Sequence, residues 1–275
     1  MNISKEKCVG CANCIPICSV GAIYIGEDGL AEINTETCVE CHNCYRSLSF
    51  EHLQPGLTRT IRRILKKFGL RFQPDPDVCP TEAFIPDELS WPRIVRRAFS
   101  DPMVTHESTG VHGRGTEEVK TNDVSHRIKP GDVGIVVEFG RPGIGVYFRE
   151  VQKATMAMAA ARVVFEEGNP VTQMMADRQI GTIREDVLDE KVLSCIVEIT
   201  VPLDDTVRVL GVVKQICQAA ETVISIGVST VCDEAGNDPI RELLEREGYQ
   251  VGWAKVNLGL GRASNASIST AGGAQ

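Results

Sequence analysis

Eight of the eleven cysteines in this 275-residue chain fall into two spaced sets. Cys8, Cys11, Cys14 and Cys18 make C-x2-C-x2-C-x3-C, and Cys38, Cys41 and Cys44 repeat the triplet ahead of a distant Cys79-Pro80. Cysteine triplets at that spacing wrap three thiolates around one face of an iron-sulfur cube, and a remote fourth thiolate closes it. The chemistry so implied is redox chemistry.

Other uses of the cysteines fit less well. Structural zinc takes two C-x2-C pairs per ion, whereas each set here is a triplet plus a single, and zinc is the runner-up. A disulfide framework needs an oxidising compartment, but Met1 to Lys7 is polar and leads straight into the first cysteine with no apolar signal region. Reduced thiols and a cytoplasmic location are therefore expected.

The residues around the cysteines carry a family resemblance. C-V-G-C-A-N-C-I-P-I-C-S-V-G-A-I from Cys8, C-V-E-C-H-N-C from Cys38 and C-P-T-E-A-F from Cys79 resemble a bacterial-type ferredoxin over residues 1–88. The resemblance implies two 4Fe-4S clusters. In that family the fourth cysteine of each motif serves the other motif's cluster, which implies Cys8, Cys11, Cys14 and Cys79 on one cube and Cys38, Cys41, Cys44 and Cys18 on the other. This chain departs from the family twice. Ser19 replaces the usual proline after the fourth cysteine, which removes no ligand. The segment 45–78 replaces the usual three residues before the last ligand.

Small residues surround these motifs. Gly10, Ala12, Asn13, Gly21 and Ala22 let backbone N–H groups approach sulfur, and the same residues also serve ordinary turns. Ala22–Ile25 and Leu30–Ile33 flank Gly26-Glu-Asp-Gly29 and read as a β-hairpin.

A chain of this length, 43% hydrophobic, exceeds a lone ferredoxin, so two domains are expected. The net charge of −8 argues against general nucleic-acid binding, and no apolar run approaches the ~20 residues that cross a bilayer. Charge is unevenly spread. Leu57 to Arg71 carries Arg59, Arg62, Arg63, Lys66, Lys67 and Arg71 with no acidic residue, leaving 23 basic against 37 acidic residues elsewhere. Leu57, Ile61, Ile64, Leu65 and Phe68 recur at helical spacing, with Pro55 before, Gly69 near the end and Pro74 beyond. The inserted helix is expected to pack its apolar face against the chain and leave its charges in solvent. Its cationic face is alternatively a docking element for an acidic redox partner. A membrane-surface role ranks third.

Residues 89–130 read as a connector with a short helix near Ile94–Phe99. Its Gly110, Gly113 and Gly115, with His106, His112, Arg114 and Lys120, form either an anion-binding loop or a plain linker. Residues 131–262 form an α/β domain. The predicted order is strand Val133–Phe139, helix Val151–Glu167, strand Val192–Val201, helix Thr206–Ala220, strand Val223–Val231, helix Pro239–Glu247 and strand Gln250–Leu258. The repeated theme of VVEFGRPG and IVEITVPLDD suggests two related split βαβ units in tandem. The pattern from Val192 is similar to ACT-like and ferredoxin-fold domains, which implies small-ligand binding or subunit pairing, and hence a homo-oligomer or complex subunit.

Gly140-Arg-Pro-Gly-Ile-Gly145, between a strand and a helix, is either an anion-binding turn or a glycine-rich turn with no ligand. Cys195 and Cys217 sit in apolar patterns that suit buried thiols, and with Cys232 they number too few for a third cluster. The tail 263–275 is low in complexity and expected to be disordered. The fold class expected is α+β, a ferredoxin module with a helical insertion followed by an α/β sandwich. The function expected is single-electron relay to a partner oxidoreductase in anaerobic metabolism, with a docking or regulatory C-terminal domain. The alternatives are an iron-sulfur enzyme with a C-terminal substrate site, or a ligand-responsive redox regulator.

Overall fold

The computed structural model describes residues 1–47, 52–72, 79–104, 127–141 and 143–251. The N-terminal part is built from very short strands. β1 (Asn2–Ile3) pairs antiparallel with β4 (Phe84–Ile85), and β2 (Ile23–Ile25) pairs with β3 (Ala31–Ile33) as the expected hairpin. Two helices lie between β3 and β4, the one-turn α1 (Asn43–Arg46) and the inserted α2 (Pro55–Lys67). Proline at the first turn and Gly69 at φ +69° bound α2 as the sequence suggests. The segment carrying α2 closes on itself, because the Cys79 amide donates to the Ser47 carbonyl at 3.0 Å and the Leu53 amide to the Pro80 carbonyl at 2.7 Å. The long spacing before Cys79 is therefore an excursion whose ends meet, and the last cysteine returns to the place a short spacer would give it.

The connector contributes α3 (Ile94–Ser100), near the expected position. It is not a free linker, since Val95, Arg96, Phe99 and Ser100 are buried and Phe99 stacks edge-on against Phe148 at 5.2 Å. The possible anion loop of the connector, residues 106–120, lies outside the described residues.

Beyond the connector the chain runs through β5 (Asp132–Phe139), β6 (Val146–Tyr147), α4 (Phe148–Ala160), β7 (Val164–Phe165), α5 (Pro170–Gln173), β8 (Met175–Asp177), β9 (Thr182–Ile183), β10 (Lys191–Val192), β11 (Cys195–Pro202), α6 (Thr206–Ala219), β12 (Ile224–Thr230) and α7 (Pro239–Arg246). Four of these strands form one antiparallel sheet of order β12-β5-β11-β7, giving a βαββαβ path with α4 and α6 as its helices. The path divides into two βαβ halves, β5-α4-β7 and β11-α6-β12, and their strands join in this one sheet.

Alternation explains the core. Val133, Ile135, Val137 and Phe139 of β5 and Cys195, Val197, Ile199 and Val201 of β11 point to one face and are at most 2% exposed. Phe148, Val151, Ala154 and Met158 of α4 and Val209, Leu210 and Val213 of α6 cover them at helical spacing. Each such side chain contributes on the order of 2 kcal/mol by leaving water. The helix expected over Val151–Glu167 starts earlier and stops at Ala160. Arg162 adopts φ +59° and the apolar Val164–Phe165 pairs with Ile199 and Thr200 as an edge strand. The strand expected over Gln250–Leu258 and the tail 263–275 fall largely or wholly outside the described residues.

Candidate functional site

Two groups of thiols meet in the N-terminal part. Cys8, Cys11, Cys14 and Cys79 line one cavity, whose floor includes Ile3, Ala31, Ala83 and Phe84. Cys38, Cys41, Cys44 and Cys18 interact electrostatically as a second group. In each group three thiols come from one motif and the fourth from the other, the grouping that the family resemblance implies.

The two cysteine loops share a backbone. Gly10 and Ala12 in the first loop have φ of +62° and +69°, and Glu40 and His42, at the same offsets in the second, have +56° and +60°. Left-handed residues at these positions turn successive N–H groups inward, the arrangement that favours anionic sulfur. Amides of Gly10 and Ala31 donate to Cys8 Sγ at 3.4 and 3.3 Å, that of Ala22 to Cys18 Sγ at 3.2 Å and that of Ala83 to Cys79 Sγ at 3.3 Å. Gly10 must be glycine, since an added Cβ would lie 2.1 Å from the Gly29 carbonyl oxygen.

Burial, reinforced by neighbouring thiols, pushes Cys14 and Cys44 up to about 12, and burial with the Glu40 charge pushes Cys38 up to about 11. Cys11 and Cys41 are raised by burial as well. Thiols packed this closely repel one another as anions and require a cationic guest to ionise together. Among the described residues no three His, Cys, Asp or Glu side chains converge as they would on a single metal ion. Four thiols around a cavity, with amides aimed at sulfur, fit a multinuclear iron-sulfur group better than a bare ion.

The elements added to the ferredoxin-like part reach these loops through arginines that the sequence reading missed. Arg59 of α2 donates to the carbonyls of Lys5, Glu6 and Cys8, the last at 2.8 Å, and Arg62 donates to Val9 at 2.8 Å. Arg96 of α3, 3% exposed, donates to the carbonyls of Thr35, Glu36 and Cys38 at 3.1, 2.8 and 2.8 Å. Both guanidinium groups thus hold the carbonyls three before, two before and at the first cysteine of a triplet. The signal was present in the repeated Lys5-Glu-Lys-Cys8 and Thr35-Glu-Thr-Cys38, but nothing in one sequence says which arginine meets which loop.

Arg96 also pairs with Glu190, and its neighbour Arg93 binds the buried Glu40 at 2.6 Å, which the Met1 amine meets from the other side at 2.8 Å. Burial opposes the Glu40 charge, yet these two cations hold its carboxyl below the usual range. Asp101, 1% exposed, receives Arg46 at 2.8 Å and His42 Nδ1 at 3.0 Å. Lys191 of β10 is lowered by burial and by Arg96, against the opposing pull of Cys18.

The inserted helix is turned opposite to expectation. Leu57, Ile61, Ile64 and Phe68 are 59, 41, 50 and 74% exposed, while Arg59 and Arg62 face the protein. The loop beneath presents unpaired carbonyls rather than an apolar surface, and arginine forks satisfy them where leucines could not.

The glycine-rich turn at 140–145 directs part of its backbone inward. The amides of Ile144 and Gly145 both donate inward to the Gly140 carbonyl at 3.1 Å, and the first amides of α4 are taken by Glu190 and Leu188 carbonyls. The turn abuts the other half of the chain, with Gly143 against Ser19 and Gly145 against Val20. Cys195 lies in the core of the C-terminal half, Cys217 packs against that core partly buried, and Cys232 is exposed. Among the described residues no helix is long and apolar enough to cross a membrane.

Comparison with known proteins finds a match at the N-terminal end. Residues 1–24 match the family model described as a 4Fe-4S binding domain. The protein is 29% identical over 100 residues, 34% of its own length, to the B subunit of polysulfide reductase from Wolinella succinogenes, and it spans 52% of that relative. No solved structure matches. The N-terminal end of the chain therefore carries a 4Fe-4S binding module of ferredoxin type.

Proposed function

We propose that the chain is an electron-transfer subunit holding two 4Fe-4S clusters, one on Cys8, Cys11, Cys14 and Cys79 and the other on Cys38, Cys41, Cys44 and Cys18. The observation that carries this reading is the crossing of the fourth thiols, Cys79 and Cys18, each into the group of the opposite triplet. A bound 4Fe-4S cluster supplies one-electron chemistry. The chain's residues hold the thiols in register, aim amides at sulfur and exclude water behind Ile3, Ala31 and Phe84.

The electrons pass to a partner oxidoreductase. The named relative is itself one subunit of a reductase, which supports a partner of that kind. The partner docks on α2, whose exposed stripe of Leu57, Ile61, Ile64 and Phe68 is bordered by Arg63, Lys66 and Lys67. Such a surface fits an apolar patch with an acidic rim, and α2 rests through Arg59 and Arg62 on the loop that carries Cys8. Residues 1–88 thus act as the redox domain and 131–251 as the domain that stiffens the second cysteine loop through the connector.

Anaerobic reconstitution tests the reading. The expected product carries iron and sulfide for two cubes and, once chemically reduced, passes electrons to the oxidoreductase that copurifies with it. A colourless product without inorganic sulfide contradicts it.

A further inference from the structure

The paired arginine forks are placed alike but differ in charge balance. Arg59 holds carbonyls only, and among the described residues neither it nor Arg62 has a carboxylate partner. Arg96 holds the corresponding carbonyls of the other loop with its guanidinium paired to Glu190, whose side chain is 12% exposed. Glu190 precedes β10 in the C-terminal half, so its ion pair with Arg96 links that half to the loop of the second thiol group. Reduction of an iron-sulfur site adds a negative charge beside these loops, and net charge together with burial sets the potential of such sites. A fixed guanidinium stabilises the added electron, and a carboxylate on the same guanidinium cancels the gain.

We propose that Arg59 and Arg96 are positioning residues that set the reduction potentials of the two clusters separately, and that Glu190 is the residue through which the C-terminal half lowers the potential of the second. This rests on the two-cluster reading above. The other charges near the second group, Glu40, Asp101, Arg46, Arg93 and Lys191, remain in place in the variants below, so each difference isolates one residue.

The test is a spectroscopic redox titration of the full chain, carried out on samples first shown by analysis to hold iron and sulfide for two cubes. A sample that holds fewer speaks against the two-cluster reading, while the potentials bear on the inference alone. Arg59→Gln is expected to lower one midpoint by on the order of tenfold in the one-electron equilibrium, about 59 mV, and to leave the other where it was. Arg59→Lys keeps the charge and should stay near the wild-type value. Glu190→Gln leaves Arg96 on its carbonyls without a counter-charge and should raise the midpoint that Arg59→Gln did not touch. A purely structural role moves neither midpoint in an ordered direction. The inference is overturned if Arg59→Gln shifts both midpoints or neither, if Arg59→Lys falls as far as the glutamine variant, or if Glu190→Gln acts on the same cluster as Arg59→Gln.

Discussion

Arg96 and Glu190, 94 residues apart in sequence, form a largely buried ion pair that ties the loop entering the second cysteine triplet to the C-terminal half. Removing one partner of a buried pair leaves the other charged and unsatisfied, and here four carbonyls, those of Thr35, Glu36, Cys38 and Asp189, lose their donor too. Arg96→Ala should therefore destabilise the reconstituted protein by about 3–5 kcal/mol. Glu190→Ala, at a site water can reach, should cost less. Denaturant titration of both variants measures the difference.

The exposed stripe on α2 separates docking from folding. Ile64→Ser and Phe68→Ser should change stability by no more than about 0.5 kcal/mol, because neither side chain is buried, while slowing electron delivery to the partner. Met158→Ala, with a side chain fully buried beneath the sheet, should cost about 2–5 kcal/mol and leave transfer by the surviving folded protein unchanged. Thermal melts beside transfer rates provide the comparison. A large loss of stability in the Ile64 variant would place that face against the chain after all.

Thiol ionisation gives the metal-free protein an alkaline weakness. Cys14 and Cys44 are pushed up to about 12 and Cys38 to about 11, above the ordinary 9.0, so the folded metal-free state binds protons more tightly than the unfolded one. Those thiols support folding fully below about pH 9 and withdraw that support as pH climbs toward their folded values. The denaturation midpoint of metal-free protein should fall from about pH 8 to about pH 11, and loading, which replaces the protons, should remove this slope and release acid into unbuffered solution.

Two glycines at similar φ test how tightly the first loop is built. Gly10→Ala places a methyl 2.1 Å from the Gly29 carbonyl oxygen, whereas the same change at Gly21 meets nothing within 4 Å. The Gly21 variant should cost about 1 kcal/mol for its left-handed backbone and still load two cubes. The Gly10 variant should lose one, as iron analysis will register.

The hairpin at Gly26–Gly29 and the limits of α2 were legible because each is a local pattern with one physical solution. The direction α2 faces was not. Its amphipathic spacing says that it has an apolar side, but the surface offered by Lys5–Val9 is made of carbonyls, which only the folded loop reveals. The joining of the two halves into one sheet was not legible for a similar reason. Strand β7 is two residues long and its register against Ile199 and Thr200 is a long-range choice. Arg93 and Arg96 lie in the connector and Glu40 inside the second cysteine motif, and their roles, like that of Glu190, arise from pairings that span more than fifty residues.

The crossing of the fourth ligands is tested most directly by the iron and sulfide content of two double variants. Cys79→Ala with Cys11→Ala strikes one thiol group twice and should leave one full cube per protein molecule. Cys79→Ala with Cys41→Ala strikes both groups and should leave none. Retention of a cube in the second variant, with none in the first, would contradict the grouping on which the account rests.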